Sequence, residues 1–426
     1  MKNNVLSIQN VSVLDIVAKT GTPVMVYDED KLIKKMNGFV ENFKCDDFHT
    51  AVLYASKAFS CKAIYKLADQ ANMSIDVVSG GELACAHAAN FPMEKVYFHG
   101  NNKTLEELKM AFDLEVGCIV ADNLGECKQI VDFANQLQKP MKVLLRVNPG
   151  VEAHTHKYIV TAHLDSKFGT SITMKDAIAE MIETLNSSNY ISFKGFHAHI
   201  GSQIFDKMAY GAEVETLMQF IKTMEDEYNI NVTTLNLGGG FAAYYTQEDA
   251  PIPLNEVCSY ILEACRVNKA KYALNIDTIL IEPGRSIVAE AGTTIYKIGH
   301  QKQTANKKYI FVDGGMSDNI RPALYQAKYA CDVVTKMNEA KTQKVTIAGK
   351  CCESGDILIE DVMIPEVTSD DLLMVYTTGA YGYSMASNYN RIGRPAVVFV
   401  KDGKVRLVMK KESYQDMMAL ECDEEI

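Results

Sequence analysis

Short apolar runs alternate with helical patterns along most of the chain. The runs have the length and β-branched content of buried strands. They are "TAVLYAS" (50–56), "SIDVVS" (74–79), "KVYFHG" (95–100), "CIVAD" (118–122), "KVLLRVNP" (142–149), "FKGFHAHIG" (193–201), "TTLNLGGG" (233–240) and "TILIEPG" (278–284). Other apolar residues recur every three or four positions, as on a buried helix face. These faces are Leu32, Met36, Phe39 and Phe43, then Ile178, Met181, Ile182 and Leu185, then Val214, Leu217, Met218 and Ile221.

The eight strand-like runs, each followed by a helical pattern, favour a (β/α)8 TIM-type barrel of the α/β class. An open, doubly wound sheet is the alternative, because short strands of this kind can also lie flat. No G-x-G-x-x-G opens the first unit, which argues against a dinucleotide-binding sheet. Thr104 and Glu107 have the spacing of a capping box that opens a helix.

The pattern changes after residue 285, where the runs become β-like and long helical stretches are few. Asp402 and Gly403 stand between two alternating apolar runs, which is a strong signal for a two-residue hairpin. The first 28 residues are also β-like and could pair with this part. We therefore expect a barrel over 29–285 and a second domain, a β-sandwich or β-barrel-like fold, from 1–28 plus 286–426.

Composition and charge narrow the class of protein. The formal net charge of −11 and the lack of a long basic run argue against nucleic acid and anionic membrane surfaces as partners. No stretch has the pattern of a secretory signal or the length of an apolar membrane span. The 11 cysteines are odd in number and irregularly spaced, which suits free thiols in the cytoplasm better than disulfides.

Polar and glycine-rich residues follow the predicted strands, where a barrel carries its chemistry. Lys57, in "LYASKAFS", comes directly after the first run. A solvated surface lysine is the ordinary alternative, but desolvation at a barrel mouth would make it a Schiff-base candidate. Gly238 to Gly240 suit an anion such as phosphate or a simple tight turn. Glu282 ends an apolar strand and needs a partner, which a protonated ring nitrogen would supply.

Two histidines, His197 and His199, are two positions apart on one strand and should share a face. Such a pair can begin a metal site, but we find no further ligands to complete one. The other interpretations are an imidazole lying against a flat cofactor and a hydrogen-bonded core histidine. A lysine, a phosphate-binding turn and a carboxylate for a ring nitrogen together indicate pyridoxal phosphate.

The chain resembles, over nearly its whole length, the pyridoxal-phosphate decarboxylases of the alanine racemase-like barrel class, and within them the diaminopimelate decarboxylases. The matching stretches are "YASKAF", "DVVSGGEL", "GFHAHIGSQ", "LNLGGGF", "EPGRSIVAEAG", "DNIRPALY", "CCESGD" and "TTGAYGYSMASNYN". The resemblance implies decarboxylation of meso-2,6-diaminopimelate to L-lysine and CO₂ by a homodimer with shared active sites. It also implies no resident metal.

The resemblance assigns the cofactor residues. Lys57 would hold the cofactor aldehyde, His199 would stack on the ring with Ser202 close by, and Glu282 would bond the pyridine nitrogen. Phosphate and nearby groups would be held by Gly238, Gly239, Gly240, Gly284, Arg285 and Tyr381.

It also assigns the substrate residues and the proton donor. Arg321 and Tyr325 would clamp the far carboxylate of the substrate, with Arg285 and Tyr381 nearby, and Glu353 would face the far ammonium. Cys352 would donate the proton across the dimer interface. The family pattern shows one cysteine before "ESGD", so the extra Cys351 departs from it. Alternatives are a decarboxylase of another basic amino acid or carboxylated polyamine, and a non-catalytic homologue that binds a partner protein.

Overall fold

The computed structural model describes residues 5–151 and 166–425. The chain divides into two compact units. The barrel unit consists of Lys34–Ala242 and Ala250–Ser286, and the β unit of Met1–Ile33, Ala243–Asp249 and Ile287–Ile426. This division differs from the boundaries expected from the sequence at 29–33 and 243–249, which belong to the β unit.

The described strands, in chain order, are β1 (Ser7–Ile8), β2 (Val11–Ser12), β3 (Val24–Asp28), β4 (His49–Ala55), β5 (Ser74–Val77), β6 (Val96–Phe98), β7 (Cys118–Ala121), β8 (Met141–Asn148), β9 (Thr170–Ser171), β10 (Ile191–His197), β11 (Thr234–Asn236), β12 (Thr278–Ile281), β13 (Gly292–Gln303), β14 (Lys308–Val312), β15 (Cys331–Val333), β16 (Gln343–Ala348), β17 (Ile357–Ile364), β18 (Leu372–Val375), β19 (Ala396–Lys401) and β20 (Lys404–Met409).

The described α-helices are α1 (Val13–Thr20), α2 (Glu29–Asn42), α3 (Lys62–Gln70), α4 (Gly80–Ala88), α5 (Leu105–Asp113), α6 (Leu124–Leu137), α7 (Lys175–Asn186), α8 (Met208–Tyr228), α9 (Leu254–Tyr272), α10 (Arg285–Val288), α11 (Arg321–Tyr325) and α12 (Tyr414–Met418). Single 3₁₀ turns lie at Ser56–Ala58, Met93–Lys95, Tyr383–Met385 and Tyr389–Arg391. None of the helices within the described ranges combines the length and apolar character needed to cross a bilayer.

Parallel strands close into a barrel in the order β4, β5, β6, β7, β8, β10, β11 and β12, and β12 pairs back onto β4. Each of the apolar runs identified in the sequence overlaps one of these strands. The barrel prediction is therefore confirmed, and the open sheet is wrong. Side chains from four of the strands fill one buried cluster, formed by Leu53, Cys118, Val120, Leu144 and Leu280. Burial of such apolar area is the main force that closes the barrel.

The predicted helix faces are buried. The twelve residues named for these faces, which lie in or directly after α2, α7 and α8, have between 0% and 4% of their surface exposed. Thr104 and Glu107 form the expected capping box, because each side chain bonds the backbone N–H of the other. The local sequence pattern therefore decided both where these helices lie and which side they bury.

The β unit is built on a mixed sheet in the order β17, β16, β14, β13, β3, β19 and β20, with β18 also on β13 and β15 on β18. β3 lies between β13, which is antiparallel to it, and β19, which is parallel. The expected pairing of the N-terminal segment with the later β-like part is thus confirmed. Asp402 and Gly403 form the predicted hairpin with φ values of 50° and 71°.

Candidate active site

Lys57 lies directly after β4, in the 3₁₀ turn Ser56–Ala58. Its neighbours Ser56 and Ala58 are fully buried, whereas the Lys57 side chain is exposed. The backbone N–H of Ser56 donates to Oδ1 of Asp76 on the adjacent strand, at 3.2 Å, and so fixes the turn. The lysine therefore leaves the apolar wall at the end where a barrel carries its chemistry.

Two acidic side chains lie close enough to Lys57 to be influenced by its charge. Asp76 is 2% exposed on β5, and burial, together with nearby Glu282, raises its pKa to about 6. Glu82 lies in the first turn of α4, where burial raises its pKa to about 7. Both carboxyl groups therefore change protonation near neutral pH beside the lysine.

Glu282 follows β12 directly and is 7% exposed. Its Oε1 accepts a hydrogen bond from Nδ2 of Asn236 at 2.7 Å. Its Oε2 lies 3.1 Å from Nε2 of His197, in a buried hydrogen bond. Nε2 of His99 lies 2.9 Å from Oε1, close but without the alignment of a hydrogen bond. The two imidazole rings meet edge to face, with centroids 4.7 Å apart.

Burial and these contacts set the charges of the group. Burial opposes ionisation of Glu282, but the contacts with His99 and His197 outweigh it and hold the pKa of the carboxyl well below its usual value. Burial lowers the pKa of His197 to about 4 in spite of the carboxylate. At neutral pH an ionised Glu282 therefore faces a neutral His197 that donates from Nε2.

The triple glycine follows β11 and turns the chain at the end of the barrel. Gly238 and Gly240 have φ values of +63° and +98°, which glycine adopts without strain. A Cβ on Gly239 would lie 2.3 Å from the carbonyl oxygen of Glu282, so only glycine fits there. The N–H of Gly239 donates to Nδ1 of His199 at 3.2 Å. Burial lowers the pKa of His199 well below its usual value, so the ring is neutral.

Arg285 begins α10 and carries a second group of donors. Its Nε and Nη2 both donate to Oγ of Ser202, at 3.1 and 3.0 Å. A Cβ on Gly284 would lie 2.8 Å from Cβ of Ala55, so Gly284 packs closely against the end of β4. A guanidinium, a hydroxyl and the backbone N–H groups of a glycine turn are donors that suit a phosphate.

The barrel unit also contains site residues that the sequence reasoning missed: Asp76, Glu82, His99, Arg146 and Asn236. Arg146 lies near the end of β8 with its guanidinium carbon 4.5 Å from the ring centroid of Phe168. Burial lowers its pKa, against the opposing charges of Asp122, Glu282 and Asp76. All but Glu82 lie in, or directly after, the last residues of a strand. A survey of the polar residues at predicted strand ends would therefore have found them.

His197 and His199 do not face a common ligand position. Nε2 of His197 contacts Glu282, whereas Nδ1 of His199 accepts from Gly239. Within the described ranges, the histidine, cysteine and carboxylate atoms close enough to share one ion belong to His99, His197 and Glu282. This geometry argues against a metal site begun by His197 and His199 together.

The remaining predicted residues lie in the β unit, with Arg321 at the start of α11. Arg321 is 7% exposed, and its Nη1 donates to the hydroxyl of Tyr329 at 2.6 Å. Its guanidinium carbon also lies 4.9 Å from the ring centroid of Tyr245. Tyr325, at the end of the same helix, is 62% exposed. The arginine is thus held in place by aromatic neighbours.

The two adjacent cysteines differ in access. Cys351 is buried, whereas Cys352 is exposed, with its backbone N–H donating to Oδ1 of Asn390 at 2.6 Å. Glu353 is exposed next to it. Tyr381 is half-buried and has a positive φ of 58°, which is uncommon for a residue with a side chain. Of the two thiols, only that of Cys352 is open to solvent in the single chain.

Comparison with known proteins places this geometry in a family. Residues 29–289 match the model of the pyridoxal-dependent decarboxylase, pyridoxal binding domain. The chain is 48% identical over 417 residues to a diaminopimelate decarboxylase of Bacillus subtilis, covering 98% of this chain and 95% of that protein. The chain belongs to the diaminopimelate decarboxylase family. It is therefore a pyridoxal-phosphate-dependent decarboxylase.

Solved structures of family members have the same fold. The diaminopimelate decarboxylase of M. jannaschii in complex with L-lysine superposes with a TM-score of 0.93 at 32% identity, covering 100% of this chain and 97% of that one. The enzyme of Helicobacter pylori, also complexed with L-lysine, gives 0.85 at 30% identity, covering 96% of this chain and 98% of that one.

The residues of the barrel unit fit pyridoxal phosphate. Lys57 offers an amine for its aldehyde, and Glu282 is an ionised carboxylate that can hold a protonated ring nitrogen. The glycine turn and Arg285 offer donors for its phosphate. The donor set thus matches each of the reactive parts of the cofactor of this family.

Proposed function

We propose that this enzyme removes CO₂ from meso-2,6-diaminopimelate and releases L-lysine, the last step of lysine biosynthesis. The observation that carries the proposal is the joint placement of Lys57 and Glu282 at the strand ends of a barrel whose chain is 48% identical to a diaminopimelate decarboxylase. The relatives from M. jannaschii and Helicobacter pylori were solved with L-lysine, which would be the product here.

Each part of the chemistry falls to a residue of the chain. Lys57 would hold the cofactor through its aldehyde, and its amine would be the group that the amine of the substrate replaces. When bound, the cofactor supplies an electron sink for the pair left on carbon by CO₂. Glu282 keeps a proton on the ring nitrogen by opposite-charge pairing, which strengthens that sink. His199 would lie against the ring face, with Ser202 close by.

The phosphate end is held by main chain and side chain together. Gly238, Gly239 and Gly240 would form the turn around the phosphate, in which the N–H groups of Gly238 and Gly239 donate to Asn236 and His199 and the N–H of Gly240 would face the anion. Gly284 lets the chain pass close to β4. Arg285 adds a charge, and Tyr381 a hydroxyl, to the phosphate and nearby groups.

Substrate choice rests on the second carboxylate and second ammonium of diaminopimelate. Arg321, with Tyr325, pairs with the far carboxylate, and Glu353 with the far ammonium, while Arg285 and Tyr381 border the same substrate. A substrate such as ornithine lacks that carboxylate and would leave the buried arginine unpaired, which a site of this kind rejects strongly.

A proton must return to the carbon that lost CO₂. We assign this step to Sγ of Cys352, contributed with Glu353 by a second copy of the chain in a homodimer with shared active sites. The support is that Cys352 is exposed in the single chain while Cys351 is buried. We also place the enzyme in the cytoplasm, on the basis of its eleven free cysteines.

The substrate is tested by lysine release from the separate stereoisomers of diaminopimelate, with ornithine, arginine and carboxynorspermidine as comparison substrates. We expect release from the meso isomer and a yellow protein whose visible spectrum changes on its addition. Borohydride should fix the cofactor to Lys57, and Lys57→Ala should abolish turnover. Lysine release from none of the isomers would defeat the proposal. Metal analysis of the active protein tests the alternative of a metal hydrolase built on His197 and His199.

Shared active sites are tested by mixing two inactive variants. Lys57→Ala and Cys352→Ala homodimers are each defective in both sites, but a mixed dimer holds one intact site. After dissociation and random reassociation, activity should return to about one quarter of wild type. No recovery, with mixed dimers shown by mass, would place Cys352 and Lys57 of one chain in the same site. Cys352→Ala alone should keep the cofactor.

A further inference from the structure

Two buried imidazoles face the carboxylate of Glu282, and neither was expected there. His99 follows β6 and His197 ends β10, the third strand after β6 in the barrel order. They are 4% and 1% exposed. Both use Nε2, at 2.9 and 3.1 Å from Oε1 and Oε2, so each oxygen of Glu282 has one histidine beside it.

The side chain of Asn236 fixes the rotation of the carboxylate. Nδ2 of Asn236 donates to Oε1 at 2.7 Å, and Oδ1 of Asn236 accepts from the N–H of Gly238 at 2.9 Å. The backbone N–H of Glu282 donates in turn to the carbonyl of Gly238 at 2.7 Å. The orientation of Glu282 is thereby tied to the glycine turn, so one rigid group sets both ends of the proposed cofactor site.

His197 can do this without cancelling the charge of the carboxylate. A charged imidazolium would neutralise Glu282 and leave no net negative charge for a ring proton. Burial lowers the pKa of His197 to about 4, so it is a neutral donor at physiological pH. Loss of such a donor would leave desolvation of Glu282 unopposed, and its pKa would then rise.

We propose that His99 and His197 are positioning residues that keep Glu282 ionised and aimed at the ring nitrogen of the cofactor. This inference rests on the proposed function in one respect, because the kinetic assay uses diaminopimelate as the substrate. The hydrogen bond from His197 and the close contact of His99 fix the position of the carboxylate, as outer partners do for ligands in metal sites. The histidines therefore act on the reaction through Glu282 and do not touch the substrate.

Other ionisable groups also face Glu282 and must be separated from the two histidines. They are Asp76, Tyr97, Cys118, Arg146 and His199. Asp76 is the important one, because its pKa of about 6 lies in the range where activity would be measured. Asp76→Asn therefore serves as the background in which a change in the pH profile is assigned to Glu282.

The test compares His99 and His197 variants in the holoenzyme. Substitution of either histidine by leucine removes its N–H donor. Substitution by glutamine keeps an amide donor near the Nε2 position but does not titrate. His87→Leu, on the surface of α4, is the matched control. We expect the Leu variants to lower kcat about 10- to 100-fold. KM for diaminopimelate should stay within about twofold, because the donor acts after the substrate has bound. Glutamine should restore most of the loss.

Two further readouts separate positioning from a merely structural role. Because the pKa of Glu282 would be raised in the Leu variants, their kcat/KM should begin to fall at a higher pH than that of wild type as the solution is made more acidic. The same difference should be seen when both are compared in the Asp76→Asn background. The visible absorbance of the substrate-free holoenzyme should become pH-dependent over the same range, and cofactor release on dilution should be faster.

The proposal is overturned if His99→Leu and His197→Leu keep the wild-type pH profile and visible spectrum. It is equally overturned if the Gln variants are as defective as the Leu variants while all of them remain folded. The spectral readout needs no substrate. If wild type binds pyridoxal phosphate but does not decarboxylate diaminopimelate, the proposed function fails and the absorbance still decides the role of the histidines.

Discussion

Substitution of Gly239 by alanine should separate the two strand ends that form the cofactor site. The added Cβ would lie 2.3 Å from the carbonyl oxygen of Glu282, whereas ordinary contact begins at 3.4 Å. Because the atom met is backbone, no side chain can move aside, and the two backbones must part by about 1 Å. The hydrogen bond from the N–H of Glu282 to the carbonyl of Gly238, 2.7 Å long, would stretch or break.

The size of the effect follows from this displacement. A shift of about 1 Å in a catalytic group can cost about 10²-fold in rate. Overpacking of this kind destabilises a fold by about 1–3 kcal/mol, which a barrel of this size can tolerate. We therefore expect a folded Gly239→Ala enzyme that loses its cofactor more readily and has kcat/KM reduced about 100-fold.

The assay measures visible absorbance after gel filtration and kcat/KM at saturating cofactor, with melting followed by circular dichroism. Gly81→Ala is the matched control, because its Cβ would lie 3.7 Å from Oγ of Ser79, an ordinary contact, in helix α4 near the same site. Wild-type cofactor retention and wild-type kcat/KM in Gly239→Ala would refute the steric reasoning.

Further predictions concern buried charges and the substrate arginine. Burial raises the pKa of Glu213 well above its usual value, and neither of its carboxyl oxygens has a hydrogen-bond partner in the described part of the chain. The wild-type free energy of unfolding should therefore fall as pH rises above about 4.3, because ionised Glu213 is favoured in the unfolded chain. Glu213→Gln should remove that slope between about pH 5 and pH 8, and equal slopes in both melts would contradict this. Lys103→Met should lower the free energy of unfolding, measured in urea, by about 3–5 kcal/mol, because the buried carboxylate of Glu126, 2.6 Å from Nζ of Lys103, loses its partner. The double variant Lys103→Met, Glu126→Leu should regain most of this lost stability. Arg321→Ala should raise KM for diaminopimelate about 10-fold or more with the cofactor retained, and unchanged kinetics would remove Arg321 from the site.

Strands and helix faces could be predicted because their signal is local. β4 and α2 are recognisable from residues within one short window, since burial selects apolar residues at the period of each element. For the N-terminal strand, the sequence indicated pairing with the later β-like part of the chain. It did not indicate which strand would pair with it or in which register. β3 pairs with β13 and β19, which lie hundreds of positions later in the chain, and no local pattern encodes such a partner.

The site could be predicted only in part for the same reason. Lys57 and Glu282 stand out because each is a charge that ends an apolar strand. The roles of His99 and Asn236 depend on which strands become neighbours in the closed barrel. Asn236 and Glu282, for example, are 46 positions apart and meet only after β11 and β12 pair. His197 was noticed for its spacing from His199, but its true partner lies on another strand.

The position of β3 has a consequence for biosynthesis. Every residue of β3 is buried, yet its partners β13 and β19 leave the ribosome long after it does. During translation this apolar strand must wait with both edges unpaired while the intervening barrel sequence emerges and folds as a unit. An unpaired strand edge is a template for association with other chains. Nascent chains stalled before residue 396 should therefore depend heavily on chaperones, because β3 still lacks a partner strand. A chain of the same length that starts after β3 should depend on them less.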